Sequence, residues 1–164
     1  MKPDKCKGNE GRTMKNRFKP LVAILLLFLI LTACRSDKSL PFTPEESDKI
    51  TLEVINRAED LNGVFYTIKL SNKSNHIIKQ NNVFFSYPFK TDSGSKGNEF
   101  MVEAKNNKLD IKPNEEVILS VFTPKEEYEG NKKILINECY LEIKGYIDQV
   151  KEENQFSKTT GVLF

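Results

Sequence analysis

"VFYTIKL", residues 64–70, is the stretch on which the fold turns. Val64, Tyr66, Ile68 and Leu70 fall on one face, Thr67 and Lys69 on the other. A period of two is the signature of a strand buried on one side. The pattern recurs on both flanks. In ITLEVI (50–55), Ile50, Leu52 and Val54 oppose Thr51 and Glu53. EVILSVF (116–122) offers Val117, Leu119 and Val121. In ILINECYLEIKGYI (134–147), Leu135, Cys139, Leu141, Ile143 and Ile147 oppose Glu138, Glu142 and Lys144. VFFSYPF (83–89), FMVEA (100–104) and the tail TTGVLF (159–164) are further candidate strands.

Turn chemistry separates these runs: Asn62-Gly63, SNKSN (71–75), TDSGSKGN (91–98), KPNEE (112–116) and EGNKK (129–133). No long segment shows a helical period, and TPKEEYEG (123–130) has room for one helical turn. Seven or so short strands between turns predict an all-β domain over residues 49–164, an antiparallel β-sandwich. A small lipocalin-like barrel is the alternative.

Charge is unevenly placed. Residues 1–33 carry seven Lys/Arg against Asp4 and Glu10, so the rest holds 18 of the 25 basic and 21 of the 23 acidic side chains. A weakly acidic domain is not the footprint of a nucleic-acid binder. The basic stretch MKNRFKP (14–20) leads into LVAILLLFLIL (21–31), a run too short to span a bilayer comfortably. It has the layout of an export signal, with its positive end held in the cytoplasm. Met14 is an alternative start, since the hydrophilic residues 1–13 are foreign to such a signal.

Leu31-Thr32-Ala33-Cys34 closes the run and resembles the lipobox of bacterial lipoproteins. The resemblance implies diacylglyceryl transfer to the Cys34 thiol and cleavage between Ala33 and Cys34. Residues 1–33 would then be a cleaved lipoprotein signal, and 34–48 a lipidated N-terminus and polar tether carrying Pro41 and Pro44. Two or three acyl chains, at roughly 0.8 kcal/mol per CH₂, hold a protein firmly to a membrane. The Lys, Asn and Ile richness suggests the outer face of a Gram-positive-like cell membrane.

Within 49–164, the succession VFYTIKLSNKSN, LDIKPNEEVILSV and a long late strand resembles the small immunoglobulin-like domains of exported bacterial proteins. The immunoglobulin disulfide and core tryptophan are absent. What this implies is a non-catalytic binding or interaction module with a protein or peptide partner at the cell surface. A protease inhibitor using loop 91–98 as bait is the alternative, and a carboxylate-based hydrolase ranks last.

Candidate chemistry is sparse. Cys139 lies on the apolar face of its strand and reads as a buried structural thiol. His76, the only histidine, follows a polar turn and is expected at the surface. One histidine and one buried cysteine make a poor metal site, so no metal, cofactor or catalytic residue is expected. Phe85, Tyr87 and Phe89 share one face of the 83–89 run. Pro88 cannot donate a ladder bond, which suggests an edge strand. These three aromatics are the candidate partner-binding residues, against the plainer reading of core packing.

Overall fold

The alternation of residues 64–70 is realised in full. In the computed structural model, which describes residues 40–164, Val64, Tyr66, Ile68 and Leu70 are all buried at 1% exposure or less. They lie on β2 (Gly63–Asn72), which pairs antiparallel with β1 (Ile50–Glu59). The next strands are β3 (Ile78–Ser86), β4 (Phe89–Thr91), β5 (Gly94–Lys96), β6 (Val102–Glu103) and β7 (Glu115–Pro124). β8 (Glu138–Ile147) and β9 (Gln155–Leu163) complete the set.

One sheet has the order β1-β2-β7 and the other β6-β3-β8-β9, while β4 and β5 form a separate hairpin. Every pairing is antiparallel. The inner faces of both sheets share one core, in which Ile68, Leu70, Phe85, Leu119, Leu141 and Ile143 are inaccessible to solvent. The sheets do not join into a closed barrel, which sets aside the lipocalin-like alternative. The rim between β1 and β9 is open, since β1 pairs with β2 alone and β9 with β8 alone, while among the described residues the opposite rim is bridged only at Lys105 and Ser120.

The strand edges follow local chemistry. The Asp60 carboxylate accepts from the Asn62 and Gly63 amides at 2.7 and 3.1 Å, fixing the β1–β2 turn. Gly63 is obligatory there, because a Cβ would lie 2.2 Å from the Thr123 carbonyl oxygen. A bulge at Ile55 interrupts β1. Beyond it the strand is exposed, so the alternation read from Ile50 to Val54 ends there.

Packing onto the sandwich is already present ahead of Lys49, the residue expected to open the domain. Phe42 packs edge-to-face on His76 and Phe156, with ring centroids 5.4 Å apart in each pair. Thr43 caps a short helix, α1 (Pro44–Asp48), its hydroxyl accepting from the Glu46 amide at 3.3 Å. The Lys158 ammonium then bonds the Ser47 and Ile50 carbonyls, both at 2.9 Å, tying this segment to β9.

Candidate functional site

A groove of about 500 Å3 lies on the outer face of the β6-β3-β8-β9 sheet. Its origin is a bulge. The β3–β8 register slips between Lys79 and Asn82, where Gln80 adopts φ +47°. Gly145 sits opposite, and a Cβ there would lie 2.8 Å from the Lys79 carbonyl. A bulge bends its strand and raises the local twist, so the floor here turns concave.

Asn82 and Phe84 from β3, Lys144 and Tyr146 from β8, and Gln155 and Ser157 from β9 line the groove. The Lys144 ammonium lies 5.3 Å from the Phe84 ring centroid and 3.0 Å from the Glu142 carboxylate. At the far end of the same face the β4–β5 hairpin leans over Tyr140, whose hydroxyl is 3.0 Å from the Ser95 hydroxyl. Amides, hydroxyls, two aromatic rings and a partly neutralised cation suit an extended polar chain laid across strands. They do not enclose a small molecule.

A second polar cluster closes one end of the sandwich. The Asn72 amide donates to the carbonyls of His76 (2.8 Å) and Ile111 (3.1 Å). The Ser74 hydroxyl donates to the side-chain oxygen Oδ1 of Asn72 at 2.6 Å and accepts from the His76 backbone amide at 3.2 Å. His76 itself is 2% exposed. Its Nδ1 is 2.7 Å from one carboxylate oxygen of Asp148, whose other oxygen accepts from the Ile77 amide at 2.9 Å. Its Nε2 has no hydrogen-bond partner and is shut from water. The surface position expected for His76 is therefore wrong: Asp148, far along the chain, and Phe42 bury it.

Asp148 also adopts φ +60°, so Asp148→Ala would leave the buried His76 ring and the part-buried Ile77 amide without their acceptor and strain the backbone. A loss of about 2–3 kcal/mol is expected in urea unfolding. Asp148→Gly, which tolerates that φ, should recover part of it. A change below about 0.5 kcal/mol, the range of an ordinary surface substitution, would mean that the pair does not hold this end together.

The candidate aromatics are placed otherwise than a partner site needs. Phe85 and Tyr87 are 0% and 6% exposed and belong to the core. β3 is an internal strand, pairing with β8 along its length, and it ends at Ser86 before Pro88. The edge expected from Pro88 is absent because the proline lies outside the ladder. Phe89 is half-buried on β4, opposite Lys96. Residues 91–98, expected as a flexible loop, hold the Asp92-Ser93 turn and strand β5 of a hairpin.

Cys139 is buried, and burial pushes its thiol up to about 12. Cys34 and Ala33 lie outside the described residues. Among the described residues no Asp or Glu is buried, and no cluster of three His, Cys, Asp or Glu could hold a metal ion. Sequence reasoning missed the groove because its lining is spread over three strands. The one local signal was the polar run KQNN (79–82), which breaks the alternation.

No family model matches the chain, and no curated protein matches it. Among solved structures, that of a selenomethionine-labelled β-glucosidase from Kluyveromyces marxianus aligns with 70% of this chain at 9% identity and a TM-score of 0.28. The chain spans 15% of that enzyme's length. So slight a likeness bears on neither fold nor activity.

Proposed function

We propose that this chain is a lipoprotein anchored through Cys34 on the outer face of a Gram-positive-like cell membrane. Its immunoglobulin-like sandwich is a non-catalytic binding module for a protein or peptide partner. The immunoglobulin-like reading is supported by strand order. Sheets β1-β2-β7 and β6-β3-β8-β9 alternate along the chain as two facing antiparallel sheets of a Greek-key sandwich do. The groove beside the β3 bulge carries the binding reading: it is open, with Phe84 and Tyr146 among amide, hydroxyl and lysine side chains. Aromatic side chains with a polar rim are the usual composition of a recognition surface.

Photo-crosslinking in intact cells tests the partner. A photoreactive amino acid at Tyr146 should capture one discrete protein, whereas one at Thr67, on the outer face of the other sheet, should not. Equal capture from both positions, or none from either, would overturn the assignment of this face. The anchor is tested separately. Cys34→Ala should remove acyl label from the chain and leave the precursor uncleaved, seen as a larger mass. A protein of normal mature mass that still partitions with membranes would end the lipid assignment.

A further inference from the structure

The two sheets present four outer edges, and three of them are protected. β6 is two residues long. β7 is crossed by Lys105, which exchanges backbone bonds of 2.8 and 3.2 Å with Ser120. β1 carries the Ile55 bulge together with Glu53, Arg57 and Glu59. Short strands, covering segments, bulges and charges are the devices that stop sheets from pairing edge to edge. β9 has no bulge and is not cut short, and the segment that Lys158 and Phe156 hold beside it makes no backbone bond to it. The strand runs nine residues in unbroken register with β8 and contains no proline. Its one charge, Lys158, is turned back onto the Ser47 and Ile50 carbonyls.

Which backbone groups β9 leaves free can be worked out. The Phe164 amide donates to the Asn137 carbonyl at 2.9 Å. Hydrogen-bonded pairs alternate along an antiparallel ladder, and the register continues with Val162↔Cys139, Thr160↔Leu141 and Lys158↔Ile143. The even-numbered residues thus spend their amides and carbonyls on β8. Ser157, Thr159, Gly161 and Leu163 aim theirs away from the sheet. No other backbone bond reaches this edge among the described residues.

We infer that β9 is a homodimerisation edge, pairing antiparallel with β9 of a second copy about a two-fold axis at Thr160. In that register Thr159 meets Gly161 of the second copy, and Ser157 meets its Leu163. All four outward residues are satisfied on both chains, with on the order of eight hydrogen bonds. The four outward residues Ser157, Thr159, Gly161 and Leu163 carry no charge, so none of them opposes a like charge on the second copy. Leu163, at 79% exposure, gains cover. An isologous contact closes on itself, and the three protected edges stop further addition, so the assembly ends at two.

Membranes from cells making the full chain provide the test, under mild copper–phenanthroline oxidation. Thr160→Cys, facing its own copy across the axis, should give a covalent dimer far above the background of the unsubstituted chain. Adding Thr159→Pro, which deletes an outward amide but no bond to β8, should abolish that band. Should that proline disturb folding, differently tagged Ser157→Cys and Leu163→Cys chains give an independent reading. Co-expressed, they should link to each other and neither to itself. A Thr160→Cys chain that stays monomeric, either variant linking to itself, or an adduct with a protein of another size would overturn the second copy as the occupant.

Discussion

Phe85→Ala is expected to lower the stability of the domain by about 3–5 kcal/mol, the range for removing a ring from a packed core. Phe85 is 0% exposed and lies between two tyrosines, its ring centroid 4.4 Å from that of Tyr66 and 5.1 Å from that of Tyr87. Neither neighbour can collapse into the space. The hydroxyls of Tyr66 and Tyr87 are 2.7 Å apart, and that of Tyr87 is 3.0 Å from Thr123. Moving either ring would therefore break a buried bond. Tm should fall by roughly 10–25 °C for a domain of this size. Phe84→Ala is the internal control. Phe84 is half-buried on the opposite face, under Lys144, and its loss should cost under about 1 kcal/mol. Because a one-residue slip turns every side chain to the other face, the reverse ranking would show that β3 is out of register.

That comparison also shows what the sequence disclosed. β2, β7 and the Cys139–Ile143 stretch of β8 were legible because each alternates without interruption, so apolar spacing alone names the buried face. VFFSYPF disclosed two faces, yet spacing cannot say which strand is internal. Pro88 pointed to an edge, whereas the ladder ends two residues before it. The first half of β3 was hidden by the bulge, which places Asn81, at 1% exposure, inside the protein between polar neighbours. β9 was half hidden for a related reason: its inward positions are Phe156, Lys158, Thr160 and Val162, and a lysine directed at carbonyls reads locally as solvent-facing. His76 and Ile111 are buried by partners far along the chain, in Asp148 and Ile78. No local window carries that information.

High pH should unfold this domain, beginning near pH 9. Cys139 has no exposed surface, and burial pushes its thiol up to about 12 from the 9.0 of a solvated group. Tyr66 and Tyr87 are raised above 10.0, first by burial. For Tyr66, its bond with Tyr87 adds to the shift. Each of these groups stays protonated longer in the folded chain than in the unfolded one. Below pH 9 the two states bind equal numbers of these protons, and the stability is fully present. Between pH 9 and about 12 the unfolded chain gives up its thiol proton first, so stability falls by about 1.4 kcal/mol per pH unit from Cys139 alone. Above pH 10 the two tyrosines steepen the fall. Urea midpoints taken from pH 8 to 11 should decline in that pattern. Cys139→Ala should delay the onset to about pH 10, though from a lower starting stability. Tyrosinate absorbance supplies the deciding reading, because Tyr66 and Tyr87 should ionise only as far-UV circular dichroism is lost. If all five tyrosines titrate near pH 10 while that signal stays native, water reaches the hydroxyl chain from Tyr66 to Thr123, and the centre of the core is not closed as its geometry requires.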